Sequence, residues 1–455
     1  MTDNSIKHKN RAVPNGRLSR LSQFGRLASG VAGGMIAEGA RRLADGERPA
    51  MRDMILTPGN VARVADRLSH LRGAAMKLGQ MISMDAGDML PPELTEIMAR
   101  LRDNAHRMPP QQLQRVLEQQ WGQDWRKRFA HFGATPIAAA SIGQVHRAKT
   151  PDGRDLAIKV QYPGVRESID ADVDNVATLL RVSNLLPSEL DIAPLLAEAK
   201  KQLHEEADYL REGGYLTLFG ELLADASDYV IPVLDEEFTT DQVLAMSFVE
   251  GKAIETLVDA PQDTRDTAMG LLFQLVMREI FEFGRIQSDP NFANYRYQPE
   301  TGNLVLLDFG ATREVDAKVA DGYRRLIIAA LNGDRDGVRE EALAAGFVSQ
   351  AAITRHGDRV AAMIDVIINE LTRPGKFDFG DRGFVSILRE QGMDVAVDKA
   401  AWHIPPTDLL FVQRKISGMA LLAARLKVRI DVRALVAEHF TLDEGAEADA
   451  LDTES

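Results

Sequence analysis

Two short motifs nineteen residues apart, counted from Asp289 to Asp308, constrain this chain more than any other feature. Leu306–Leu307 runs into Asp308–Phe309–Gly310, and an Asp-Phe-Gly that ends an apolar strand is a magnesium-holding signature of phosphoryl-transfer sites. Upstream stands Asp289–Pro290–Asn291–Phe292–Ala293–Asn294, whose Asp-x-x-x-x-Asn spacing belongs to the same kind of site. Between the two, Gln298–Pro299–Glu300–Thr301–Gly302–Asn303 reads as a turn joining two short strands, because Pro, Gly and Asn interrupt two apolar runs. Such a hairpin carries Asn294 and Asp308 side by side and offers one hard cation two oxygen ligands. An isolated Asp-Phe-Gly is more often a strand end without chemistry; the ordered pair of motifs is not.

A phosphate-cradling element is expected on the N-terminal side. Kinases lay the backbone amides of Gly-x-Gly-x-x-Gly-x-Val over the phosphates and reach them with a lysine from the third strand. Ala138–Ala139–Ala140–Ser141–Ile142–Gly143–Gln144–Val145 keeps that spacing, with Ala138 and Ala140 in place of the first two glycines. Alanine gives up the φ > 0 space open to glycine, so the loop is expected to be stiffer. Ala138, Ala139, Ala140, Ser141, Gly143 and Val145 are the candidate nucleotide contacts. After a Pro151–Asp152–Gly153 turn, Leu156–Ala157–Ile158–Lys159–Val160 supplies the lysine. An acidic helix is expected next, with Glu198, Glu205, Glu206, Asp208 and Glu212, and with Leu195, Leu196, Leu203 and Leu210 on its buried side. Glu212 is the expected partner of Lys159, and Glu206 and Asp208 are left for another contact or for a solvated acidic face. His204 beside Glu205 lacks the second histidine of a zinc helix. The run from Val243 to Gly251 reads as a strand leaving into a hinge, which makes Ser247 and Val249 candidates to meet adenine.

These stretches resemble the UbiB family of atypical kinases, most of all its mitochondrial and proteobacterial coenzyme Q branch. Ala-Ala-Ala-Ser-Ile-Gly-Gln-Val-His, Leu-Ala-Ile-Lys-Val-Gln-Tyr-Pro-Gly-Val, Glu-Ala-Asp-Tyr, Asp-Pro-Asn-Phe-Ala-Asn and Leu-Asp-Phe-Gly all fit, and Lys77–Leu78–Gly79–Gln80 matches the family's Lys-x-Gly-Gln. The resemblance runs from about Val61 to at least Val315. It implies an α+β, two-lobed protein-kinase-like fold with an N-terminal helical extension packed over the active site. It further implies that Lys159 meets phosphate, Asp289 is the catalytic aspartate, Asn294 and Asp308 hold Mg²⁺, and Lys77 and Gln80 meet Glu206 and Asp208 where a peptide would otherwise dock. ATP and Mg²⁺ are the implied cofactors. The implied role is an ATPase or small-molecule kinase supporting ubiquinone biosynthesis, acting with quinone-biosynthesis proteins or prenylated phenol intermediates. A true protein kinase and a nucleotide-gated scaffold or lipid extractor are the alternatives. Gln287–Ser288–Asp289 lacks the His-Arg of protein kinases and no Ala-Pro-Glu follows Gly310, so no peptide platform is visible.

Composition narrows the field. With no cysteine there are no disulfides, thiol chemistry or thiolate metal sites, and a net charge of −13 argues against a nucleic-acid binder. The first 26 residues nevertheless carry Lys7, Lys9, Arg11, Arg17, Arg20 and Arg26 against Asp3. They lead into an apolar stretch containing Gly30 and Gly34, which reads as a flexible basic arm, a transit peptide or a contact with an anionic membrane. No run reaches the ~18 apolar residues of a spanning helix, so a cytoplasmic protein is expected, peripheral on the inner membrane, or on the matrix side in a mitochondrion. The cluster Met76, Met81, Met84 and Met89 reads as core packing. The expected domains are a basic arm (1–55), a helical extension (56–130), an N-lobe (131–250), a C-lobe (251–437) and an acidic disordered tail (438–455). Expected C-lobe helices span Thr264–Phe283, Asp316–Ala345, Ala351–Arg373 and Thr407–Leu426.

Overall fold

The structure is a computed structural model that describes residues 73, 108–182, 193–381, 383, 387–388, 391–392, 398 and 407–440. The basic arm, the Met cluster, Lys77 and Gln80 lie outside the described residues. The chain divides into two compact units. One holds the described residues up to Thr217 together with Pro232–Phe248; the other holds Leu218–Ile231 and the described residues from Val249 on. The passage at Phe248 falls within the expected hinge. The assignment of Leu218–Ile231 to the second unit departs from the expected N-lobe boundaries.

The first unit is built on an antiparallel sheet. Its strands are β1 (His131–Phe132), β2 (Ala138–Ala139), β3 (Gly143–Lys149), β4 (Asp155–Gln161) and, after a two-residue β5 (Tyr229–Val230) of the other unit, β6 (Val243–Ser247). The order is β1-β3-β4-β6, with β2 added on β3. A tight turn from Thr150 to Arg154 joins β3 to β4, and Gly153 takes φ +96° there, which only glycine adopts cheaply. Register sets Val145 opposite Lys159 and Lys159 opposite Leu244.

Leu156, Ile158 and Val160 are buried in one core with Leu113, Val116, Leu117, Trp125 and Phe129. The last five come from α1 (Pro110–Trp121), from the short turn of helix after it (Trp125–Arg128) and from Phe129, which caps that turn. This segment was expected in the extension; its apolar stripe instead completes the core of the sheet, and Trp121 donates to the Phe238 carbonyl at 3.1 Å. Removing a ring such as Trp125, 1% exposed, would cost about 3–5 kcal/mol.

After α2 (Val165–Val182), the expected single acidic helix is two: α3 (Ala193–Glu206) and α4 (Tyr209–Leu222). Asp208 makes the break. Its Oδ1 accepts from the Arg211 amide at 3.1 Å, an N-cap for α4. The restart shifts the helical phase, so Tyr209, Glu212, Gly213, Leu216 and Phe219 form the buried stripe of α4. Leu210, expected inside, is 58% exposed.

In the second unit, α5 (Gln262–Phe281) precedes β8 (Arg285–Gln287). Strands β7 (Lys252–Ala253), β9 (Tyr295–Tyr297) and β10 (Leu304–Leu306) join β5 in the order β5-β10-β9-β7. β9 and β10 form the expected hairpin, turned where Gln298 N–H bonds Asn303 and Gly302 sits at φ +81°. β11 (Thr312–Glu314) pairs with β8. α6 (Ala317–Leu331), α7 (Arg335–Ala344), α8 (Gln350–Thr372), β12 (Phe377–Asp378), α9 (Thr407–Leu426), β13 (Arg429–Ile430) and α10 (Val432–Ala437) follow. The helix expected over Asp316–Ala345 is split at Gly333, φ +71°, and Asp334 caps α7 by accepting from the Gly337 amide. The acidic tail was expected from 438, but Phe440 is buried against Phe281; residues 441–455 lie outside the described ones.

Candidate functional site

In the first unit the candidate residues converge on Lys159. Its ammonium donates to both oxygens of Glu212, at 2.8 and 2.9 Å, with side-chain exposures of 11% and 2%. The Tyr209 ring stacks at 5.1 Å from the same nitrogen. Burying this lysine is tolerable because β4 delivers it opposite the helix stripe that holds Glu212, so each charge meets its countercharge as it leaves water.

The alanine loop is shaped by packing more than by glycine's torsional freedom. Gly143 is not at positive φ. A methyl there would run into the Val160 carbonyl oxygen and crowd the Tyr209 hydroxyl. Ala138 and Ala139 lie exposed on β2, and Ala140 N–H closes the turn onto the Gly143 carbonyl at 2.9 Å. Val145, on β3, is half-buried. Ser141 donates to Glu206 at 2.6 Å, tying the loop to the end of α3. Glu206 and Asp208 are thus separated in role: one holds the loop and the other caps a helix. Gly73 lies against Ile142, Ser141 and Leu203.

Two motif residues prove to be scaffolding. Gln161 donates to the Ala207 carbonyl at 2.7 Å, satisfying the backbone at the α3–α4 break. His146 is fully buried, its Nδ1 2.7 Å from the Gly133 carbonyl and its Nε2 2.8 Å from the Gln144 amide nitrogen. A carbonyl can only accept and an NH₂ can only donate, so the ring is neutral with its proton on Nδ1. Burial pushes the His146 pKa below its usual value, against the Gly133 bond. Of the hinge candidates, Ser247 already donates its N–H to the Val233 carbonyl and accepts at Oγ from the Val233 amide. That removes its amide from the groups available to a base. Val249 begins the second unit.

In the second unit the hairpin holds Asn294 and Asp308 together: Leu307 N–H donates to the Asn294 carbonyl at 3.0 Å. Asp308 Oδ1 accepts from the Gly310 amide, also at 3.0 Å, fixing its side chain. Phe309 is buried against the Phe219 ring, 4.9 Å away. Among the described residues, no group of three His, Asp, Glu or Cys could hold a metal. One carboxylate and one amide oxygen nevertheless fit Mg²⁺, which keeps few protein ligands and takes the rest from phosphate and water. Asp289 is half-buried in the loop between β8 and β9. Ser288, where protein kinases carry arginine, bonds the Ala311 carbonyl through both N–H (3.1 Å) and Oγ (2.8 Å). The strand after Gly310 is therefore held directly, and α6 begins at Ala317 with no long segment between.

Sequence reading missed a third group, Glu279, Lys415 and Tyr295. Glu279 lies in the apolar stripe of α5 with Leu272, Leu275 and Val276; Lys415 lies in that of α9 with Phe411, Met419 and Leu422. A lone opposite charge on each of two apolar stripes was the available signal. Lys415 Nζ is 3.1 Å from Glu279 Oε2 and donates to the Gln287 carbonyl at 3.0 Å and the Tyr295 hydroxyl at 2.9 Å. Burial pushes the Glu279 carboxyl up against the pull of Lys415. For Lys415, burial is outweighed by Glu279 and Tyr295, which hold it above the usual lysine value.

The family model for the ABC1 atypical kinase-like domain matches residues 100–342, more than half of the chain and the stretch holding both motif sets. The chain belongs to the ABC1 atypical kinase-like family. Within that family it is similar to the atypical kinase COQ8, mitochondrial, of Saccharomyces cerevisiae, with 35% identity over 95% of this chain and 86% of that one. It is also similar to the atypical kinase coq-8, mitochondrial, of Caenorhabditis elegans, with 36% identity over 94% of this chain and 58% of the other. The solved complex of Rv3197 with erythromycin from Mycobacterium tuberculosis shares the fold, with a TM-score of 0.58 and 24% identity over 82% of this chain and 94% of that one. The ABC1 assignment agrees with the UbiB resemblance and with the kinase-like α+β fold. Lys77 and Gln80 of the family's motif lie outside the described residues. No described helix is long and apolar enough to cross a membrane.

Proposed function

We propose that this ABC1-family atypical kinase binds MgATP and passes the γ-phosphoryl group to water or a small acceptor in support of ubiquinone biosynthesis. Lys159, oriented by Glu212, neutralises phosphate charge. Asn294 and Asp308 would hold Mg²⁺, which would supply charge screening to the phosphates. Asp289 orients the acceptor hydroxyl or water and takes its proton. The observation that carries this reading is the buried Lys159–Glu212 pair, because a strand lysine held by a helix glutamate is what phosphoryl-transfer sites of this type require. The direct tie of Ser288 to Ala311 and the short run to Ala317 favour a small acceptor over a peptide.

The names of the COQ8 relatives support a quinone pathway and, for a eukaryotic setting, a mitochondrial one. The proposed partners are quinone-biosynthesis proteins or prenylated phenols, with the basic arm on an anionic membrane. The proposed domains keep an N-lobe and a C-lobe with Lys77 and Gln80 in an extension regulating the site. Calorimetry of ATP binding with and without Mg²⁺ tests the centre. Wild type is expected to need the metal and Asp308→Asn to lose the dependence; equal ATP affinity without Mg²⁺ in wild type would overturn the assignment. Product analysis with labelled ATP then separates phosphate in water, phosphate on an acceptor, and no turnover.

A further inference from the structure

One face of α9 meets the catalytic loop of the second unit at both of its ends. Phe411, Lys415 and Gly418 stand at helical spacing. The Arg313 guanidinium, on the strand after Asp308–Phe309–Gly310, lies 3.8 Å from the Phe411 ring centroid. Gly418 meets Pro290, and a methyl there would run into that ring. Between them, Lys415 grips both ends of the loop: the Gln287 carbonyl before Asp289 and the Tyr295 hydroxyl after Asn294. Its third donor faces Glu279, whose Oε1 accepts from the Gln287 amide at 3.3 Å. The Gln287 side-chain oxygen lies within 3.5 Å of the same nitrogen, so the three donors of the ammonium are all engaged by groups of the loop and Glu279. Gln287 is thereby held at both its N–H and its C=O. α9 lies beyond residues 100–342, which match the family model.

We propose that Lys415 is the positioning residue of the catalytic loop, and that α9 supplies through it a part of the active site that the kinase-like motifs do not contain. The proposal rests on the reading of Asp289 as the catalytic aspartate. Misplacement of a catalytic group by about 1 Å can cost about 100-fold in rate, and one nitrogen pins the loop between Gln287 and Tyr295 at both of its ends.

The test compares wild type with Glu279→Gln/Lys415→Met, in which the buried charges are removed together and the new side-chain amide oxygen at position 279 can still accept from the Gln287 amide. Lys415→Met alone leaves Glu279 without its countercharge and can fail to fold, so the double variant is the one that decides. With far-UV circular dichroism unchanged, its kcat for ATP turnover should fall about 10–100-fold while KM for ATP stays within about twofold. Hydrogen exchange across residues 287–295 should quicken at least tenfold relative to the β3–β4 hairpin, an effect that does not depend on turnover. Wild-type kcat, or unchanged exchange in the loop, would overturn the proposal. Asp289→Asn, run in parallel, keeps the two readings apart: if it retains full kcat the catalytic assignment fails, whereas the exchange result still decides whether Lys415 holds the loop.

Discussion

Lys159–Glu212 and Lys415–Glu279 are both buried lysine–glutamate pairs, one in each unit, and they are built for different ends. In the first, the glutamate takes the ammonium with both oxygens while the lysine side chain keeps 11% of its surface exposed. In the second, each side chain is 1% exposed and the ammonium is shared among a carboxylate, a hydroxyl and the backbone and side-chain oxygens of Gln287. A lysine that retains exposed surface can meet an anionic ligand; one enclosed on every side can only hold its neighbours. Identical charges thus serve binding in one place and positioning in the other, and exposure decides which.

The largest expected effect falls on the enclosed pair. Glu279→Gln leaves a buried ammonium without its countercharge and should lower unfolding free energy by about 3–5 kcal/mol, read from urea denaturation. A loss below about 1 kcal/mol would mean that water or Tyr295 replaces the carboxylate. Next comes Lys159→Met, expected to lower kcat/KM for ATP by about 10²–10³, or ~2.7–4 kcal/mol of transition-state stabilisation, by steady-state kinetics. Activity close to wild type would remove Lys159 from the phosphate site. Third, Glu212→Gln should cost about 1–3 kcal/mol of stability, less than Glu279→Gln because Lys159 can turn part of its surface to water. If the two losses are equal, the contrast between the pairs collapses.

The smallest effect is the dependence on pH at His146. Burial lowers its folded pKa, so the unfolded chain takes up the proton first as pH falls. Stability from this group is complete above about pH 6.5 and is lost as pH drops below that value, with a slope of at most about 1.4 kcal/mol per pH unit. His146→Gln should flatten the difference between unfolding measured at about pH 7.5 and at about pH 5.5. An unchanged slope would show that the ring accepts a proton in place.

Where local pattern governed, the sequence was legible. The Asp308–Phe309–Gly310 strand end, the hairpin behind Asn294 and the Lys159 strand all stand where spacing put them, because turns and strand alternation are set by neighbours a few residues away. The acidic helix was misjudged at one point: Asp208 offered its side chain to the backbone ahead of it and broke one helix into two, which moved Leu210 from the expected core to the surface. Why position 143 is glycine was not legible either, since its need for no side chain comes from Val160 and Tyr209, residues that periodicity around position 143 does not reveal.

The sequence by itself determined the chemistry on offer: a lysine on a strand, a glutamate on the helix that follows, and an Asp–Asn–Asp set around a hairpin. Those residues are recognisable because their spacing is short and their function demands that spacing. Tertiary structure alone decided what supports them. The Trp121, Trp125 and Phe129 cluster became part of the N-terminal sheet's core, and Lys415 came to rest on Gln287, 128 residues away. Nothing local fixes such contacts. They form because burying two apolar stripes brings their lone charges together, and each charge is stable out of water only where the other already lies.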